Sequence, residues 1–347
     1  MSITYSEIKN QYEALRKTFD HLINQKPRLL DFFKKNQPKS IVFIGSGSSY
    51  YISQSFEIIT RVKMGIPSLS LAAGDLMINT EKYLPLIENG MIFAVSRSGS
   101  TSEIINAINN IKAIAEVPVI SITCINNSPL ERISDYTVQI PWAFDESVCQ
   151  TRTVTNIYAA GVQVLSACCD AADIINDLDS VITSGDEYME KYEESLKRIA
   201  ELDWDNVMIL ADGELQGISM EAALAFKEIS QLHSGYHHVL DSRHGPIVMV
   251  SEKTLVIACI TEDDYKAQTA LIKDMVKKGA KVIVYTDKKL EEIEGVLLHV
   301  SSGTSLDHVV RGVPFIYISQ IVSYYKAIQR GTNPDKPDGL DAWIELK

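Results

Sequence analysis

Two short stretches of this chain have the residue types needed to hold an anion. Ser46-Gly47-Ser48-Ser49 follows the apolar run 40–44 and opens a segment of helical character. Ser96-Arg97-Ser98-Gly99-Ser100-Thr101 stands in the same relation to the apolar run 91–95. A turn from strand to helix leaves unpaired N–H groups at the positive end of the helix dipole, and short hydroxyls beside them add donors. Glycine lets the backbone approach a ligand closely. Ser and Thr are also the ordinary helix N-caps, so one such turn is as readily structural. Two at equivalent points of one half-chain favour phosphate. Other nucleotide and phosphate motifs fit badly: there is no GxxxxGK[ST] loop, and Tyr50 stands where a dinucleotide fingerprint needs its third Gly.

Three histidines, His233, His237 and His238, cluster in the second half. They show neither HExxH nor HxH spacing and no carboxylate at matching helical spacing, so no metal and no cofactor is expected. The five cysteines, Cys124, Cys149, Cys168, Cys169 and Cys259, lack CxxC spacing and read as packing residues rather than a disulfide framework.

The elements that position the two turns follow a strand–turn–helix rhythm. Strands are expected at 40–44, 67–72, 91–95, 117–123 and 137–141, with helices at 5–36, 50–64, from 101 to about 115, and 151–172. The second half repeats the logic, with strands at 206–210, 255–260, 281–285 and 296–300 and helices at 217–234, 263–279 and 306–329. This pattern predicts doubly wound α/β sheets, mostly parallel, and an internal duplication. The expected organisation is N-terminal helices at 1–36, a first domain at 37–175, a partly helical linker near 173–190, a second domain at 190–330 and a tail at 331–347 that ends in a strand-like stretch. Two turns at the carboxyl ends of neighbouring parallel strands would converge on one crevice.

The 347 residues carry a formal charge of −12, which disfavours nucleic acid as a partner while leaving a local phosphate site possible. No apolar run reaches the roughly 20 residues that span a bilayer, and the polar start MSITYSEIKNQ lacks the pattern of a secretory leader. A cytoplasmic protein without a membrane partner is the expectation.

Taken together, the motifs resemble those of sugar-isomerase (SIS) domains. Gly-Ser-Ser-Tyr at 47–50 and Ser-Arg-Ser-Gly-Ser-Thr at 96–101 look like the two phosphosugar-binding motifs. Glu146–Arg152 resembles the stretch after the first domain's last strand, and Glu221-Ala-Ala-Leu-Ala-Phe-Lys227-Glu228-Ile-Ser resembles the family's "KEIS" helix. Ser242-Arg243-His244-Gly-Pro resembles its "HGP" loop. The resemblance is greatest to the isomerase half of glucosamine-6-phosphate synthase and to fructosamine-6-phosphate deglycases. It implies two SIS domains of flavodoxin-like type and a hexose 6-phosphate derivative as ligand. Ser49, Ser96, Ser98 and Thr101 would bind the phosphate, with Arg97 adding a charge-assisted contact. Glu228 would move a proton between C1 and C2, as a half-buried carboxylate can. His244 would open the ring or protonate a leaving group. Gly47, Ser48, Glu146, Arg152, Glu221, Lys227, Arg243 and His308 are further cleft candidates. The family's active site lies near a dimer interface, and the His loop can come from the partner chain, so a homodimer or higher homo-oligomer is implied.

Two departures shape the expected reaction. Ala225 stands where the synthases carry a lysine three residues before the catalytic Glu, and Ala342 stands where their tail carries a Schiff-base lysine. The nearest tail lysines are Lys336 and Lys347. The glutamine amidotransferase domain is not seen ahead of the first α/β pattern. A deglycase or deaminase acting by C1–C2 proton transfer fits these losses, with an amino-sugar phosphate isomerase or a non-catalytic phosphosugar sensor as alternatives.

Overall fold

A computed structural model describes residues 2–263, 265–287 and 291–342. The chain begins with α1 (Ile3–Lys9) and α2 (Gln11–Asn36). The first sheet series then runs β1 (Ile41–Gly45), α3 (Ser48–Ile59, widening into a π turn at Thr60–Met64), β2 (Ser68–Ala72), α4 (Ala73–Ile78) and α5 (Thr80–Ile87). It continues with β3 (Met91–Ser96), α6 (Ser102–Lys112), β4 (Val119–Thr123), α7 (Pro129–Ile133), β5 (Tyr136–Gln139), α8 (Arg152–Cys168) and α9 (Ala172–Thr183). The second series runs α10 (Gly185–Ala200), β6 (Asn206–Leu210), α11 (Gln216–Glu228), β7 (His233–His237), β8 (Thr254–Cys259), α12 (Tyr265–Lys277), β9 (Lys281–Thr286), β10 (Leu298–Ser301) and α13 (Gly312–Arg330).

Every strand pair is parallel, and the two sheets have the orders β2-β1-β3-β4-β5 and β10-β9-β8-β6-β7. Counted from its own first strand, each is the doubly wound order 2-1-3-4-5. The internal duplication is therefore topological. β1, β3, β4 and β8 are buried at every residue, which is why they read as unbroken apolar runs. In both sheets the order reverses at the first strand, so crevices open at the carboxyl ends of β1/β3 and of β6/β8.

The described residues form two compact units. The first comprises residues 10–146, 150–182 and 341–342, around the first sheet; the second comprises 2–9, 147–149 and 183–340, around the second. The stretch 173–190 is helix on both sides of Ser184. Three helices, α4, α5 and α7, lie where no element was expected. The strand-like tail expectation falls on residues 342–346, which lie outside the described residues except for Ala342.

One expected element is overturned. The helix expected over 217–234 stops at Glu228, and His233–His237 is a strand paired to β6. Gln231 takes a left-handed φ of 51°, and the Leu232 N–H returns to the Phe226 carbonyl at 3.1 Å. The helix thus closes through a left-handed residue without the glycine that usually announces such an end.

Candidate functional site

In the first unit, glycine geometry shapes both serine turns. A Cβ on Gly45 would lie 2.4 Å from the Ser49 backbone carbon, so only Gly permits α3 to start there. Gly47 has φ +56° and open space where a Cβ would point. Ser48 and Ser49 are buried in the first turn of α3. Gly99 has φ +60°, and a Cβ would lie 2.3 Å from Ser128 Oγ. The Gly99 N–H donates to Ser96 Oγ at 3.0 Å, the Ser100 N–H donates to Ser98 Oγ at 3.2 Å, and Ser96 Oγ lies 3.4 Å from Thr101 Oγ1. Neither α3 nor α6 has a side-chain cap on its first N–H groups, whereas Ser128 caps α7 in the ordinary way. In α3 the Ser49 and Tyr50 N–H groups already donate to the Ser46 and Gly47 carbonyls at 3.2 and 3.0 Å, so the serine hydroxyls are the groups these turns offer an anion.

Arg97 is turned elsewhere. Its guanidinium, 4% exposed, donates to the Ala342 carbonyl at 2.6 Å and to the Asp145 carbonyl at 3.5 Å, and it stacks on Phe144. Arg152 is likewise engaged: it donates to the Phe144 carbonyl and lies 3.4 Å from Asp145 Oδ1. Asp145 is the residue that sequence reasoning missed. Its carboxylate accepts from the Thr151 and Thr153 N–H groups at 2.7 and 2.9 Å and so caps α8, while Glu146 beside it is exposed. Thr153 Oγ1 accepts from the Asp145 N–H in return, a reciprocal pairing over eight positions that no local spacing announces.

In the second unit, α11 sets the carboxylates. Glu221, Ala225 and Glu228 follow one another at i, i+4 and i+7 on one face; the first two are buried and Glu228 is half-buried. Lys227 points off this stripe and is exposed. Ala225 and Ile229 pack with Cys149 and Ala327, and Gln231 Nε2 donates to the Asp338 carbonyl at 3.1 Å. Residues 147–149 and the tail thus close around the end of α11. The Ser147 N–H and Oγ both donate to the buried Glu7, and the Val148 N–H donates to the Asp335 carbonyl. Lys336 is exposed, and Lys347 lies outside the described residues. Burial raises the thiol pKa of Cys124, Cys168, Cys169 and Cys259.

His244 does not join Glu228. α11 runs back antiparallel to β6 and β7, so Glu228 ends at the amino edge of the sheet, whereas His244 follows the carboxyl end of β7. Five strand residues separate the two levels, about 13 Å of rise. The sixteen positions from Glu228 to His244 therefore do not bring the two to one edge of this sheet, because β7 occupies that interval. His244 is exposed between two 3-10 turns, and Arg243 pairs with Asp274 at 2.7 Å.

The carboxyl edge of the second sheet holds a different group of side chains. Asp212 Oδ1 lies 3.0 Å from His238 Nδ1 and accepts from the Val239 N–H at 3.2 Å. Tyr236 Oη lies 3.0 Å from the same Nδ1, and burial together with Asp212 raises its pKa. His308 Nε2 contacts the Asp212 carbonyl at 3.0 Å and Glu214 at 3.9 Å. No group of three or more His, Cys, Asp or Glu residues able to hold a metal occurs among the described residues.

The SIS domain family model matches residues 36–167 and 202–310. The chain belongs to the SIS domain family. The matched segments hold every strand of both sheets and leave out α1, most of α2, α9, α10 and α13. A glutamine–fructose-6-phosphate aminotransferase (isomerizing) from Sulfurisphaera tokodaii is 26% identical over 358 residues, covering 98% of this chain and 56% of that protein. The chain thus spans little more than half the length of that relative. Glucosamine-6-phosphate deaminase from Thermotoga maritima superposes with a TM-score of 0.81 at 24% identity, covering 99% of this chain and all of that one. Tagatose-6-phosphate ketose/aldose isomerase from Escherichia coli superposes at 0.82 and 19% identity, covering 100% and 96%. These likenesses establish the two-sheet SIS fold. No helix among the described residues is long and apolar enough to cross a membrane.

Proposed function

We propose that this SIS protein is an enzyme acting on an amino-substituted ketohexose 6-phosphate, cleaving it as a deglycase or deaminase does. The observation that carries the reading is the α11 stripe, which offers two carboxylates, Glu221 and Glu228, and an alanine between them. Such a face can take and return protons but offers no amine for a Schiff base. The uncapped serine turns of the first unit supply phosphate donors, with Ser49, Ser96, Ser98 and Thr101 as ligands.

On this reading Glu228 removes a C1 proton from the open-chain ketosamine, giving an enaminol. Reprotonation at C2 leaves an imine at C1. Addition of water and loss of the amine give an aldose 6-phosphate, so one water is consumed per amine released. His244 assists ring opening, and its place at the far edge of the second sheet supports a homodimer in which it serves the other copy's Glu228. The names of the aminotransferase, deaminase and ketose/aldose isomerase relatives support phosphosugar chemistry of this type, which belongs to the cytoplasm.

The test is an NMR assay with fructoselysine 6-phosphate, an acidic fructose-amino-acid 6-phosphate, glucosamine 6-phosphate and fructose 6-phosphate, on the wild type and Glu228→Gln. Aldose 6-phosphate released from a fructosamine, and lost in the variant, is the expected result. Turnover of glucosamine 6-phosphate alone would make the protein a deaminase or isomerase. Binding of phosphosugars without turnover would make it a sensor.

A further inference from the structure

We propose that Asp212 is a positioning residue that, with His238, anchors the loop carrying His244 to the end of β6. The consequence for turnover rests on the role proposed for His244 above, but the anchor itself does not.

The loop leaves β7, the edge strand of the second sheet, and from His238 to His244 only Val239 and Ser242 are buried. Burial alone holds so short an exposed stretch weakly, so its polar contacts decide where His244 sits. Those contacts lead back to one carboxylate. Asp212 Oδ1 accepts from the Val239 N–H at 3.2 Å and lies 3.0 Å from His238 Nδ1. The Ser242 N–H donates to the His238 carbonyl at 3.0 Å, and Ser242 Oγ donates to the Val239 carbonyl at 2.7 Å. The His244 N–H then donates to the Asp241 carbonyl at 2.8 Å. The carboxylate thus holds positions 238 and 239, these hold 242, and a turn at 241 carries His244. The protons on this anchor follow from the acceptors. A carboxylate only accepts, so His238 Nδ1 bears the hydrogen. The Tyr236 hydroxyl donates its one proton to the Ala211 carbonyl at 3.1 Å and accepts from the same Nδ1 at 3.0 Å. Asp212 is itself fixed, because His308 Nε2 donates to its backbone carbonyl at 3.0 Å. A second tie, Arg243 to Asp274 at 2.7 Å, joins the loop to α12. Both ion pairs are more than a third exposed. Solvent screens them, so losing the Asp212 anchor should loosen the loop without unfolding the sheet.

The experiment is hydrogen exchange of the full-length protein, read by mass spectrometry on peptides covering 238–250, β6 and β8, for the wild type, Asp212→Ala, His238→Leu and His238→Asn. An asparagine amide can donate where Nδ1 stands, so His238→Asn rebuilds the bond to Asp212. Loop exchange is expected to quicken roughly tenfold in Asp212→Ala and His238→Leu and to return towards wild type in His238→Asn, with β6, β8 and the melting temperature unchanged. On whichever of the four phosphosugars named above the wild type turns over, kcat is expected to fall by a similar factor with KM unchanged, and to recover in His238→Asn. Wild-type loop exchange in both Asp212→Ala and His238→Leu would overturn the anchor. Equal quickening of the loop, β6 and β8 would reduce Asp212 to a merely structural residue and overturn it too. A loosened loop with full kcat would overturn the positioning role. If Asp212→Ala does not fold, the contrast between His238→Leu and His238→Asn carries the test. If the wild type turns over none of the four phosphosugars, the proposed function fails, and exchange still decides the anchor.

Discussion

The switch points of the two sheets share a strand order and differ in chemistry. After β1 and β3 the turns carry Ser46, Ser48, Ser49, Ser96, Ser98 and Thr101, and the helices start without side-chain caps. After β6 the turn is Asp212-Gly213-Glu214, closed by a 3-10 turn, with its carboxylates directed to two histidines and a loop N–H. After β8 it is Thr261-Glu262-Asp263, with the Thr261 N–H given to Gln268. On the proposed reading the first edge receives an anion. The second repels one and spends its polar groups on its own loops. On that reading the duplicated scaffold keeps its phosphate edge in one copy, while the other carries helix α11 and the HGP loop.

Several experiments can break or sharpen this contrast. The largest expected effect is on turnover: Glu228→Gln should lower kcat by roughly 10²–10⁴-fold, the usual contribution of a general acid–base group, with phosphate affinity unchanged by calorimetry. Loss of both would mean that the two units do not divide the work. Next, Glu228→Gln and His244→Asn chains, each inactive alone, should regain roughly a quarter of wild-type activity when refolded together at equal amounts, because half the dimers are mixed and each has one intact site. No recovery would place both residues in one chain's site. Ser98→Ala should weaken hexose 6-phosphate binding roughly tenfold or more, while Asp212→Ser should leave it unchanged. The glycines give a stability test of the same pair of turns. Gly99→Ala meets Ser128 at 2.3 Å with φ +60° and should cost about 2–4 kcal/mol by denaturant melts. Gly213→Ala has the same φ class, but its nearest contact is His308 at 3.4 Å, so it should cost about 1–2 kcal/mol.

The smallest effect concerns pH. Burial outweighs the pull of Asp241 and lowers the His237 pKa, so the unfolded chain takes up a proton before the folded one does. Stability should therefore fall as pH drops through the ordinary histidine range, and His237→Gln should flatten that fall in melting temperature between about pH 7 and 5.5.

The sheets were legible because their central strands are covered on both faces and so are apolar without interruption. The serine turns were legible because glycine and hydroxyls crowd between such strands and a helix. β7 was hidden: His233-Ser-Gly-Tyr-His is a half-exposed edge strand with little apolar content, and the turn before it uses Gln231 where a glycine would have marked the helix end. That hidden strand is also why Glu228 and His244 looked like neighbours. Arg97 was read as a phosphate ligand because of its neighbours in sequence, and no local pattern reveals a carbonyl 245 residues away.

The arrangement of units along the chain bears on how the protein is made. Ser2, Ile3 and Thr4 deliver four hydrogen bonds to the Asp335 carboxylate, and burial of that carboxylate is outweighed by these donors, which hold its pKa below the usual range. Residues 147–149 join the same unit, while their flanks belong to the other. Neither half can therefore be completed on the ribosome while the other waits. The second unit's opening helix must stay unclaimed until residue 335 has emerged, a closure across more than 330 positions. Contacts of such long range slow folding, so a late docking phase, sensitive to Asp335→Ala, should follow formation of the two sheets in refolding kinetics.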